Sequence, residues 1–152
     1  MGNNLLKLGG VLSFAVALLH LVIIFIGGPA YRYFGAGEEM AQLTESGSLR
    51  PALITLGITV VFILFGLYAF SGAKLIRRLP LLNIALPIIS VIYTLRGMAV
   101  VPEIIYKINA PDAVPARMII FSAAALSIGL LYLSGTIKNW KNLRAPHNYT
   151  RL

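Results

Sequence analysis

Four stretches of this chain are apolar over roughly the length needed to cross a bilayer interior, and this pattern leaves few folds open. About 20 helical residues rising 1.5 Å each span a hydrocarbon layer of roughly 30 Å. Segments 8–26, 51–70, 79–101 and 115–137 meet that length. Backbone N–H and C=O groups in lipid must be satisfied within the segment, so each run is expected to be a helix. Away from the ends of these runs, the one fixed charge is Arg96. Composition agrees: 58% of residues are hydrophobic and 12% charged, with a mean hydropathy of +0.82, more than a soluble domain of 152 residues can bury. The expected fold class is all-α, an integral membrane four-helix bundle forming one domain over residues 1–137, followed by a basic tail over 138–152.

The first run is expected to be a retained span. It is longer than the roughly 7–15-residue core of a signal peptide, and no Ala-x-Ala cleavage site follows it. The opening Met-Gly-Asn-Asn-Leu-Leu lacks the Ser or Thr at position 6 of a myristoylation signal. With no cysteine, neither a disulfide nor a thiolate metal site can form.

The net charge of +8 does not point to nucleic acid, because the basic residues flank the apolar runs. The side holding both termini and the second connection carries Lys7, Lys74, Arg77, Arg78, Lys138, Lys141, Arg144 and Arg151 and no acid. The other side carries Arg32, Arg50, Lys107 and Arg117 with every acid of the chain: Glu38, Glu39, Glu45, Glu103 and Asp112. The positive-inside bias predicts N-in, C-in, with both termini cytoplasmic in a plasma (bacterial inner) membrane.

The first outer connection, 29–50, is long. Its Glu38-Glu-Met-Ala-Gln-Leu-Thr-Glu-Ser-Gly47 reads as a short helix ended by glycine, while Tyr31, Tyr33 and Phe34 suit an aromatic belt at headgroup level. A loop of this length can also cover the bundle mouth. Gly9, Ser13 and Ala17, like Ala123 with Ser127 and Ala125 with Gly129, form small-residue stripes. These are expected to serve close packing inside one bundle, with a homo-oligomer or larger membrane complex as the alternative. The basic tail with Trp140 is expected at the interface, on anionic headgroups.

Counting depth from the outer helix ends places the polar residues together. Arg96 precedes Pro102 by six residues, about 9 Å of rise, and His20 precedes Gly27 by seven, about 10 Å. Thr55 and Thr59 bracket that depth in the second run, and Ser122 falls within it in the fourth. Helical side chains lean toward the N-terminus of their helix, so Arg96 is expected to lean deeper and inward. An arginine facing lipid at mid-bilayer costs roughly 2.5–3.5 kcal/mol on insertion scales, which favours a protein-lined location. Tyr93, three residues before Arg96, adds a hydrogen-bonding wall. Glu103 lies seven residues on, roughly the same face but about 10 Å away.

The expected ligand-binding set is therefore Arg96, His20, Tyr93, Thr59 and Glu103, with Glu38, Glu39 and Glu45 as lid residues or ion-pair partners of Arg96. Bland roles compete. His20 can be a neutral ring hydrogen-bonded within the bundle, the threonines can bond their own helix, and Arg96 can form a structural clasp with a loop glutamate or snorkel toward the headgroups. Two histidines, no His-x-x-x-His pair, no Gly-x-Ser-x-Gly elbow, no P-loop and no dinucleotide fingerprint leave no sign of a metal, a cofactor or a familiar catalytic centre. The inner half of the bundle is nearly all apolar, so a transport path requires an oligomer. The expected function is an outward-facing polar pocket that binds an anionic amphiphile, lipid or small molecule. The alternatives are a non-catalytic accessory or assembly subunit and an oligomeric transporter or channel.

Overall fold

A computed structural model describes residues 2–112 and 114–144; His147, Arg151 and the rest of the expected tail beyond 144 lie outside the described residues. The described chain runs through α1 (Gly2–Ile26), α2 (Gly28–Phe34), α3 (Glu38–Glu45), α4 (Arg50–Gly72), α5 (Leu82–Met98), α6 (Val100–Asn109) and α7 (Ala116–Arg144). Helices α1, α4, α7 and the continuous α5–α6 unit are each long and apolar enough to cross a membrane. Only 22–28% of each apolar window is buried inside the protein. The remaining Leu, Ile, Val and Phe surface requires a lipid solvent, which makes this a membrane-embedded helical protein.

Small residues set which helices touch. A Cβ on Gly97 would lie 2.4 Å from Leu126 Cα, and one on Gly129 would lie 2.7 Å from the Thr94 nitrogen, so α5 and α7 meet backbone to backbone. On α1, Gly10 faces Phe70 and Ala69, Phe14 faces Gly66 of α4, and Gly9 faces Tyr132 of α7. Lipid cannot drive helices together as water does, and dispersion at such close approaches holds the bundle instead. Gly9, Ser13 and Ala17 are all buried in this packing. Ala123 and Ser127 point outward, while Gly129 is buried.

One polar tie crosses this core. Tyr132 Oη donates to the Phe65 carbonyl at 2.9 Å, and a carbonyl can only accept. The 2.8 Å contact between Ser13 Oγ and Tyr132 Oη must then use the serine hydrogen. The 2.9 Å contact between Tyr93 Oη and Ser13 Oγ must in turn use the tyrosine hydrogen. The donors run in one direction, Tyr93 to Ser13 to Tyr132 to Phe65, and the four residues come one each from α5, α1, α7 and α4.

Three spans differ in extent from the sequence expectation. Helix α7 continues past 137 to Arg144, because no proline or glycine follows Gly135 before Pro146; residues 138–144 of the expected tail are thus helical, with Asn139 and Leu143 buried. Trp140 packs against the core, and Arg144 lies over its ring at 4.5 Å. Helix α1 begins at Gly2 rather than residue 8. The third span starts at Leu82, after Leu81 turns left-handed (φ 53°), and does not stop at Pro102. A turn at Ala99 restarts the helix, placing Pro102 in the first turn of α6, where a missing N–H is tolerated.

The 27–49 connection folds into two short helices, of which only α3 is read from the sequence. Gly27 (φ 76°, ψ −140°) takes a positive-φ conformation that releases the chain from α1 into α2, and Gly35 (φ 82°, ψ 22°) ends α2 in the left-handed helical region. Buried Ala30, Tyr31 and Ala41 pack with Ile23 at the end of α1, so the two helices sit as a cover on the bundle.

Candidate functional site

Beneath that cover lies a cavity of about 480 Å³. Helices α1, α4, α5 and α7 form its walls, and Tyr31 to Met40 roof it. Most of the lining is apolar or aromatic, including Leu19, Ile58, Phe62, Phe121 and Ile128. The polar exceptions are His20, Tyr31, Thr55, Tyr93 and Arg96. Phe34 stacks on Phe121 with ring centroids 5.4 Å apart, joining roof to wall.

The expected set divides on these walls. Arg96, His20 and Tyr93 line the cavity, whereas Thr59 and Glu103 do not. Thr59 Oγ1 donates to the Thr55 carbonyl at 2.9 Å, the ordinary behaviour of a helical threonine. Its neighbour Thr55 is the one that reaches the cavity, and its hydroxyl is 3.1 Å from Tyr31 Oη of the roof. Tyr93 presents its ring, since its hydroxyl is committed to Ser13.

His20 Nδ1 lies 2.8 Å from the Val16 carbonyl and must carry the hydrogen there. In the neutral ring this makes Nε2 an acceptor, with no hydrogen-bond partner among the described residues. The imidazole leans on Phe62 at 5.1 Å.

Arg96 Nη1 donates to Ser122 Oγ at 2.9 Å, and Ser122 Oγ donates to Glu103 Oε1 at 2.9 Å. Ser122 is fully buried, and Glu103 Oε2 is buried without a hydrogen-bond partner among the described residues. Guanidinium and carboxylate are thus joined through one hydroxyl and make no direct ion pair among the described residues. The direction of the arginine corrects the expected lean. Gly97 against Leu126 and Thr94 against Gly129 fix an antiparallel register. In that register Ser122 stands level with residue 101, five residues or about 7 Å beyond Arg96. The guanidinium climbs toward the covered end of the bundle because its hydroxyl partner is there, and the same bridge closes the gap to Glu103 that distance along the helix alone leaves open.

The loop carboxylates go elsewhere. Arg32 of α2 grips Glu38 in a bidentate pair, Nε to Oε2 and Nη2 to Oε1, both at 2.8 Å. It also grips Glu45 through Nη1 to Oε1 and through Nη2 to Oε2 at 3.0 Å. Hydrogen bonds from Arg32 hold both carboxyls below the usual carboxylate range. The guanidinium is itself shifted up, by Glu45 first and then Glu38. Arg32 lies one turn from α3 across a tight connection and reaches these acids before Arg96 can, while Glu39 is exposed. A clasp exists, but it joins α2 to α3 within the roof. Arg117 adds a second fastening, donating to the Tyr33 carbonyl at 2.9 Å and lying 5.0 Å above the Tyr33 ring.

The roof helix α2 and the bridging role of Ser122 are not found by reading charges alone. Ser122 is legible only as a polar residue at the right depth. No protein-family model, curated protein or solved structure matches this chain.

Proposed function

We propose that this protein is an integral component of the plasma (bacterial inner) membrane with both termini cytoplasmic, whose covered pocket opens outward and binds an anionic amphiphile, lipid or small molecule. The distribution of Lys and Arg supports the orientation, since the end bearing α2 and α3 carries every acid and the other end carries none. The observation that carries the binding reading is Arg96: a permanently charged, partly exposed side chain on a largely apolar and aromatic cavity wall, engaged by a neutral serine and, among the described residues, by no carboxylate directly. Ionisable groups at membrane depth mark ligand paths by default. One guanidinium N–H is used on Ser122, which leaves the Nε and Nη2 edge for a bidentate grip on a carboxylate or phosphate oxygen pair. The volume falls in the range of small-ligand sites. His20 Nε2 supplies a hydrogen-bonding position on the same wall, and the roof limits access of water.

The test is native mass spectrometry of protein purified in mild non-ionic detergent. Wild type carries a bound anionic species, and Arg96→Met and Arg96→Gln lose it while keeping the wild-type thermal transition. Retention of the same species by both variants, or no bound species in wild type, removes the proposal.

A further inference from the structure

Glu103 belongs among the expected ligand contacts by sequence, yet it stands behind Ser122 and outside the cavity lining. Its position gives it a different task. We propose that Glu103 is a positioning residue that offsets the Arg96 charge through Ser122, so that a ligand's anionic head binds in competition with the Glu103 carboxylate. This rests on the pocket reading above.

Three features support it. The Ser122 hydroxyl has one hydrogen, given to Glu103 Oε1, so its lone pairs face Arg96 and the two charged groups are locked in series. Ser122 is fully buried, which keeps water from screening the pair at that point. Glu103 Oε2 is buried with no donor, so among the described residues the carboxylate receives only one hydrogen bond and makes no direct ion pair. Three of the basic groups at this end are engaged elsewhere. Lys107, one turn further along α6, donates to the Pro111 carbonyl. Arg117 of α7 is held on Tyr33, and Arg32 is saturated by Glu38 and Glu45. Removing the Glu103 charge therefore strengthens the field of Arg96 toward the cavity.

The experiment compares oleate, a monoanionic single-chain probe, with oleyl alcohol, its uncharged counterpart, using full-length protein in non-ionic micelles at about pH 9, where a carboxylate probe is ionised. Glu103→Gln keeps an acceptor for the Ser122 hydrogen. It is expected to bind oleate about tenfold tighter than wild type, a size usual for coupled sites, and to leave oleyl alcohol unchanged. Ser122→Ala, which removes the bridge and not the charge, shifts oleate in the same direction by less, and carries the test if Glu103→Gln does not fold. Weaker or unchanged oleate binding in these variants overturns the role of Glu103 alone. Oleate binding that is absent from wild type, or insensitive to Arg96→Met, overturns the pocket reading with it.

Discussion

Replacing Ser13 with alanine removes one oxygen from the centre of the bundle, and its cost follows from the direction of the donor chain. Two bonds disappear, Tyr93 to Ser13 and Ser13 to Tyr132. Bonds between membrane helices average about 0.6 kcal/mol each with a maximum near 1.7, so the pair is worth about 1–3 kcal/mol. Tyr93, only 4% exposed, is left with a hydroxyl hydrogen whose one acceptor among the described residues was Ser13, which places the loss in the upper part of that range. Tyr93→Phe removes only the first link and leaves Ser13 donating to Tyr132, so its cost is about 0.6 kcal/mol. Tyr132→Phe removes two links, but the freed serine can turn to the carbonyl one turn back on α1, which returns part of the loss. The expected order of destabilisation is Ser13→Ala, then Tyr132→Phe, then Tyr93→Phe, measured as unfolding free energy in mixed micelles across a denaturing-detergent titration. The double variant Ser13→Ala with Tyr93→Phe should cost no more than Ser13→Ala alone, because the second change removes the stranded hydroxyl. Strict additivity, or a Tyr93→Phe penalty equal to that of Ser13→Ala, would refute the one-way chain.

Gly97→Ala places a methyl 2.4 Å from Leu126 Cα, so α5 and α7 must separate by about 1 Å at a cost of about 1–3 kcal/mol, whereas Gly57→Ala, with nothing within 4 Å, is expected to be silent in the same detergent titration. The Arg32 clasp predicts an acid-sensitive roof. Since Arg32 lowers the Glu38 and Glu45 values from 4.5, their contribution is fully present above about that pH and is lost as pH falls through the lowered values. Amide hydrogen exchange of α3 should therefore accelerate on acidification below the ordinary carboxylate range, and Arg32→Gln should show fast exchange already at neutral pH with a weaker acid response.

The four spans are legible because lipid imposes a length and a polarity that composition records directly. Their ends are less so. Lys138 and Lys141 read as a tail because charge commonly ends a span, yet nothing between them and Pro146 breaks a helix, and their long stems let a charged head sit at the membrane edge of a continuing α7. Arg96 and His20 are legible as cavity residues through depth alone. Partner choice is not, because it depends on which side chain is nearest in three dimensions: Glu38 and Glu45 meet Arg32 inside a two-helix roof, and Glu103 meets Arg96 through a serine from another span. Ser13 and Tyr132 escape a reading that counts inward from the outer helix ends, although a mid-span serine and a mid-span tyrosine, each needing a partner away from water, are the signal for them.

The one-way tie also sets an order of events during synthesis. Ser13 emerges early, yet its partner Tyr132 lies 119 residues later in the chain. Until the last helix inserts, the serine has only its own backbone to bond with, and Tyr93 arrives with a hydroxyl whose acceptor is not yet fixed in place. The tie therefore closes only once α7 is in place beside α1, α4 and α5.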